Sequence, residues 1–120
     1  MEPHIQRLII HMTVNYQHAM PMQQLAALVN LSASRMTHLF KRETGMPPQA
    51  FLKQVRMSRA TQLLKTTCLS VKEVMCLTGF NDASHFTKDF AQRYGLTPSE
   101  YRSSYLADSA EKMVHESYVW

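Results

Sequence analysis

The 120-residue chain has only three glycines and two cysteines, and each scarcity excludes a class of chemistry. Gly45, Gly79 and Gly95 each fall where a helical pattern stops or turns. None remains for a phosphate-cradling loop or a GxSxG nucleophile elbow. Cys68 and Cys76 have no second pair with which to form a zinc site. They read as small buried or half-buried reduced thiols, which points to a reducing compartment. No apolar run approaches the roughly 20 residues a membrane-spanning helix needs. Glu2, His4 and Arg7 stand where a secretory leader would carry an unbroken apolar core. His4, His11 and His18 recur every seven residues, a helical step of about 10.5 Å, too long to share one metal ion. They read as an exposed polar flank of the first helix. No residues are left for enzymatic catalysis, a metal or a cofactor, and the chain is expected not to be an enzyme.

Apolar residues make up 45% of the chain, as in a folded globular protein. The net charge of +4 is unevenly spread. Residues 1–65 hold eight Lys and Arg against two acids, a balance of +6; residues 66–120 hold five against seven, a balance of −2. A basic half of this strength suggests a polyanionic partner.

Helical spacing dominates, with no alternating strand pattern. Pro3 opens a helix whose apolar face is Ile5, Leu8, Ile9, Met12 and Tyr16. Pro21 opens a short helix with Leu25, Ala26 and Val29 inward. The segment NLS is a turn, and Ser32 caps a third helix that runs to about Thr44 and ends at Gly45. Pro47 and Pro48 start a long fourth helix with Phe51, Leu52, Val55, Ala60, Leu63 and Leu64 buried. The scheme then recurs. Ser70 caps VKEVMCLT, Gly79 turns, Asn81 or Asp82 caps ASHFTKDFAQRY, and Gly95 stops it before Thr97 and Pro98 open SEYRSSYL. Met12, Met36 and Met57 sit at or beside apolar positions and read as core filling. The closing segment, residues 107–120, has no settled period and reads as a tail, with a docked extension as the alternative.

The recurrence is literal between residues 33 and 51. ASRMTHLFKRETGMPPQAF and, fifty residues on, ASHFTKDFAQRYGLTPSEY share Ala, Ser, Thr, Phe, Gly and Pro in register. Each copy reads short helix, tight turn, longer helix. In a helix-turn-helix the first helix needs a small residue where the second crosses it, which Ala26 supplies, and the turn favours a left-handed residue, Asn30 or Gly79. Met36, Leu39 and Phe40 face inward, with Ser34, His38 and Lys41 opposite; Phe86 and Phe90 are inward, with Ser84 and Lys88 outward. Small polar and basic residues suit base edges and phosphates. A fourth helix of about 18 residues spans about 27 Å, close to the roughly 34 Å between successive major grooves. One monomer could then carry two reading heads and read an asymmetric site.

From about Ile5 to Tyr105 the sequence resembles the DNA-binding domain of the AraC/XylS transcription regulators. The resemblance rests on LSASRMTHLFKRETG, on Arg56, Ala60, Leu63 and Leu64 in RMSRATQLL, on GFNDASHFTKDF and on GLTPSEYR. It implies an all-α fold of about seven helices, with two helix-turn-helix subdomains (1–46 and 67–106) joined by a linker helix (47–66) and followed by a tail (107–120). It also implies binding to double-stranded DNA and, usually, activation of bacterial transcription through RNA polymerase contacts. Carried onto matching positions, the base-reading candidates are Ser34, Thr37 and His38, then Ala83, Ser84, His85 and Lys88. Ser32, Arg35, Lys41, Arg42 and Thr87 are the phosphate-binding candidates.

The sequence departs from the family pattern in the second copy. Met75 stands where the family usually has Ala, a change expected to push the two helices apart or tilt them. Ala91 and Gln92 replace a basic pair that the first copy keeps as Lys41 and Arg42, and Asp82 and Asp89 add negative charge. The second head is therefore expected to be the weaker. The resulting reading is a bacterial, cytoplasmic, nucleoid-associated DNA-binding regulator with its first head dominant. As a module it is expected to be monomeric, or dimeric within a longer chain. No sensing domain fits in the remaining residues, so the reading is a stand-alone regulator or the end of a longer chain. The alternative is a helical interaction module that titrates a regulator or an RNA polymerase subunit.

Overall fold

A computed structural model describes residues 1–106; the tail reading for 107–120 lies outside them. All regular structure among the described residues is helical: α1 (Pro3–Val14), α2 (Met22–Leu28), α3 (Ala33–Thr44), α4 (Pro48–Thr66), α5 (Val71–Leu77), α6 (Ala83–Tyr94) and α7, over 98–106. None of these helices is long and apolar enough to cross a membrane. The chain divides into two compact units, Met1–Ser58 and a second beginning at Arg59.

Helix ends follow local chemistry. The Glu2 carboxylate accepts from the Ile5 N–H ahead of Pro3 in the first turn of α1. Burial works to raise the pKa of Glu2, but the bonds from His4 and Ile5 prevail and hold it below the usual value. Ser32, Ser70 and Asp82 cap α3, α5 and α6 through their side chains. Asp82, rather than Asn81, takes the last of these roles. Ser70 and Glu73 exchange bonds in a capping box, and Thr97 and Glu100 repeat that exchange at the start of α7. Gly45 and Gly95 end α3 and α6 at φ +84° and +80°, left-handed values that a Cβ would strain.

The core of the first unit gathers Ile5, Leu8 and Met12 of α1, Leu25, Ala26 and Val29, and Met36 and Phe40 of α3. Phe51 completes it edge-on to Phe40, with ring centroids 5.5 Å apart. The second unit is more aromatic: Phe86 and Phe90 are buried, and Phe90 contacts Tyr94 and Tyr101 at 4.6 and 5.5 Å.

Helix α4 departs from the expected single buried side. At about 100° per residue, Phe51, Leu52 and Val55 share one face. The residues buried further along are Met57, Ala60, Thr61 and Leu64, and they lie on nearly the opposite face. The spacing Met57, Ala60, Leu64 repeats that of Ile5, Leu8, Met12 fifty-two residues earlier, and all six side chains are buried. The end of α4 thus takes in the second unit the part that α1 takes in the first.

Two arginines lock this arrangement. Arg56 donates from Nε to the Tyr16 carbonyl and from Nη2 to the His18 carbonyl, both at 2.8 Å. Arg102 donates to the carbonyls of Leu64 and Thr67 at 3.1 and 3.5 Å. Each arginine follows a helix-turn-helix: Arg102 holds the carbonyl end of α4, where the helix dipole favours a cation, and Arg56 holds the turn that follows α1. Partial burial pulls the pKa of Arg56 down. Tyr16 and His18 lie past the Asn15 C-cap, so Tyr16 falls outside the apolar face of α1 and His18 outside the polar flank that the sevenfold spacing suggested. His11 is half-buried, not an exposed flank residue. Cys68 and Cys76 are free but exposed, contrary to the expected burial, because neither falls on the inward face of its segment.

Replacing Arg56 by Met retains much of the stem but removes both bonds. Hydrogen bonds to charged groups set the expected loss at about 1.5–3 kcal/mol of unfolding free energy. Urea denaturation of the purified chain checks this; an unchanged midpoint would mean that the two carbonyls are equally well served by water.

Candidate nucleic-acid interface

The turns of the two helix-turn-helix units have the same hydrogen bonds. Leu31 N–H donates to the Ala26 carbonyl and Asn30 N–H to Ala27; Phe80 N–H donates to Met75 and Gly79 N–H to Cys76, at 3.0 and 3.2 Å in both copies. This is a Schellman closure, with Asn30 at φ 56° and Gly79 at φ 92° in the left-handed position. The bonds pair Ala26 with Met75 and buried Val29 with buried Thr78, an offset of forty-nine residues, whereas α3 and α6 correspond at fifty. The extra residue is Asn81, between Phe80 and the cap. The gapless register quoted from the sequence holds from Ala33 onward but not across the turn.

Met75 is therefore the counterpart of Ala26, and its side chain is buried at 7% exposure beside fully buried Val74. The Thr78 hydroxyl, at the place of Val29, turns back to the Val74 and Met75 carbonyls at 2.7 and 3.2 Å. No buried side-chain polar atom among the described residues lacks a partner.

The second helix of each pair buries one side and presents the other. Met36 and Phe40 anchor α3; Phe86 and Phe90 anchor α6. Ser34, Arg35, His38, Lys41 and Arg42 are exposed on α3, and Thr37 is half-buried among them. Ala83, Ser84, His85 and Lys88 are exposed on α6, with Thr87 half-buried in the place of Thr37. Ser32 is exposed, but its hydroxyl oxygen accepts from the Arg35 N–H at 3.1 Å, leaving the O–H free to donate.

The charge at the two faces differs. The Asp82 carboxylate accepts from the His85 N–H at 2.9 Å and lies 3.8 Å from His85 Nδ1. A carboxylate thus caps α6, where a neutral hydroxyl caps α3. The last turn of α3 carries Lys41 and Arg42, and that of α6 carries Arg93. By structural unit the charge contrast is smaller than the sequence halves suggested. Residues 1–58 hold six basic and two acidic residues, and residues 59–120 hold seven and seven. Not all of these cations are available to a ligand. Arg56 is spent on two carbonyls, and Lys65 Nζ lies 5.7 and 5.6 Å from the ring centroids of Tyr101 and Tyr105. Sequence reasoning missed both roles, because the partners lie 36–40 residues away in the chain.

A family model described as a helix-turn-helix domain matches residues 25–104, two thirds of the chain. The chain belongs to the AraC/XylS family of transcription regulators. Among its AraC/XylS relatives, the transcriptional regulator GbdR of Pseudomonas aeruginosa is 31% identical over 101 residues, covering 84% of this chain and 28% of that protein. The lactose operon transcription activator of Staphylococcus xylosus is 31% identical over 107 residues, covering 89% of this chain and 38% of its own length. The chain thus spans about a third of the length of these relatives. The DNA-binding domain of the transcription factor AdpA, solved with a target DNA, superposes with a TM-score of 0.85, at 25% identity over 89% of this chain and 96% of that one.

The paired units supply controls for two substitutions. Thr78→Val places in the second unit the residue type that Val29 already provides in the first, and both carbonyls keep backbone donors. Its unfolding free energy should stay within about 1 kcal/mol of wild type. Met75→Ala removes a buried side chain and should cost about 2–5 kcal/mol through the cavity left behind. Thermal melts of both variants test the pairing; a stabilised Met75→Ala would show instead that the methionine wedges α5 from α6.

Proposed function

We propose that this chain binds double-stranded DNA in a sequence-specific manner and regulates bacterial transcription, as an activator, rather than catalysing a reaction. In this reading α3 and α6 enter successive major grooves, and α3 supplies most of the affinity. Ser34, Thr37 and His38 read bases from α3, and Ala83, Ser84, His85 and Lys88 read them from α6. Ser32, Arg35, Lys41, Arg42 and Thr87 hold phosphates. The observation that carries the reading is the repeated polar face on an aromatic-anchored second helix, exposed in both units. The DNA complex of the similar AdpA domain supports it, and the name of the Staphylococcus xylosus relative supports the activator role. RNA polymerase is the proposed protein partner. The site of action is the bacterial cytoplasm, at the nucleoid, with the module acting as a monomer.

The inequality of the heads rests on local charge. Helix α3 offers exposed Arg35, Lys41 and Arg42, whereas α6 offers Lys88 and Arg93 and is capped by a carboxylate. Like charge beside a phosphate lowers affinity, and salt screens the effect.

Binding to a promoter-length duplex should weaken with salt, log affinity falling by about 0.9 per phosphate contacted for each unit of log salt. A flat salt response would instead favour an interaction module that titrates a regulator or polymerase subunit. His38→Ala should cost about 1–3 kcal/mol on the best site and relax preference at one base pair. Arg42→Ala should weaken good and poor sites alike. Asp82→Asn keeps an equally good cap while removing the charge, and should raise affinity about two- to fivefold at low salt. Footprinting completes the test: equal protection of both grooves, with Lys88→Ala as damaging as Lys41→Ala, would overturn the dominance of the first head.

A further inference from the structure

The first unit carries an apolar groove. It lies along α1 and α2 in two adjoining lobes. One, of about 350 Å³, is lined by Arg7, Leu8, Ile10, His11 and Val14 together with Leu28. The other, of about 430 Å³, shares His11 and Leu28 and extends to Met20 and Leu25. Ile10, Val14 and Leu28 are 64%, 69% and 42% exposed. Exposed single apolar residues are ordinary, but three around one groove mark an interaction surface.

The duplication shows which of these the fold requires. Leu28 corresponds to Leu77 at the forty-nine-residue offset, and Leu77 is similarly exposed at 45%, so a leucine there belongs to the shared design. Ile10 and Val14 correspond, at the fifty-two-residue offset of α1 and α4, to Gln62 and Thr66, both exposed. The same helix positions are thus filled by polar side chains in the second unit. Packing of the unit does not account for Ile10 and Val14.

Polar groups at the groove set the chemistry of its occupant. No acidic residue lines either lobe, and Arg7 contributes a cation. The Asn15 amide donates to His11 Nδ1 at 3.3 Å, which leaves the neutral ring with its proton on Nε2 as a donor. An apolar floor with a cation and a donor beside it complements an amphipathic helix that has acidic residues flanking its apolar stripe. We propose that the α1–α2 groove docks such a helix from a partner protein. None of the lining residues is a candidate DNA contact, so the groove is available on a chain bound to DNA through α3.

The test uses the full chain and two stapled helical peptides of about four turns, with leucines at i, i+3, i+4 and i+7. One carries glutamates beside the leucines and the other lysines. The glutamate peptide should bind, shifting backbone amide resonances of α1 and α2, and the lysine peptide should bind at least about tenfold more weakly. Ile10→Gln with Val14→Thr gives the groove the side chains found at the corresponding helix positions of the second unit, Gln62 and Thr66. This pair should weaken the glutamate peptide by about tenfold or more while leaving DNA affinity unchanged. Arg7→Glu should reverse the preference between peptides, a gain that misfolding cannot imitate. Equal binding of both peptides, indifference to the paired substitution, or binding of neither would overturn the proposal. So would a wild-type dimer that the paired substitution makes monomeric, which would assign the groove to a second copy. Binding that appears only after removal of residues 107–120 would likewise overturn it, assigning the groove to the chain's own tail.

Discussion

Everything the molecule presents outward depends on one backbone conformation, the left-handed residue that closes each helix-turn-helix. At φ 56° in Asn30 and 92° in Gly79, the chain folds back so that two otherwise orphaned carbonyls of α2 or α5 find N–H donors. The following helix can then start within a few residues and bury its aromatic side against the first. Glycine adopts this conformation without penalty and asparagine at modest cost. A β-branched residue would raise that cost and disturb the crossing that decides which residues of α3 or α6 face outward.

Much of this was legible because the signals are local. Proline at helix starts, Ser32 and Ser70 as caps, and glycine after the last turn of α3 and α6 each act within four residues. The inward faces of α2 and α3 followed from period alone. What escaped the sequence depends on contacts across long separations. Helix α4 has no single apolar stripe because its two ends are buried on opposite faces, and a period search averages the two patterns. Thr61 is buried in one of them, at a position where composition alone suggests a surface residue. The carbonyl partners of Arg56 lie 38 and 40 residues earlier, so nothing in RMSRATQLL marks it as a clamp rather than a phosphate contact. Of the candidate site residues, Ser34, His38 and Lys41 on α3 and Ser84 and Lys88 on α6 were readable as outward-facing; the sequence left the α6 cap between Asn81 and Asp82, and did not show the Asp82 carboxylate beside His85.

The two copies differ in the chemistry carried by a shared scaffold. At equivalent places stand Ala26 and Met75, Val29 and Thr78, Ser32 and Asp82. The first two exchanges alter how the core is filled: Ala26 and Val29 in one copy, the longer Met75 and the hydrogen-bonded Thr78 in the other. The third alters the field at a helix N-terminus, where a carboxylate satisfies the dipole that an incoming anion would otherwise meet. Each copy thereby serves as a reference state for the other, showing which residues the shared architecture demands.

The opposed faces of α4 have a consequence for unfolding. Tertiary burial, more than helix propensity, provides most of the stability of a helix in a folded protein. If the first unit opens, Phe51, Leu52 and Val55 lose their cover, and the start of α4 can fray; if the second opens, the end of α4 loses Ala60 and Leu64. Fraying from either side removes turns on which the hydrogen bonds of the other half depend, so melting of one unit lowers the barrier to melting of its neighbour. Two units joined through one helix can in this way unfold as one cooperative event, with that helix as a coupling.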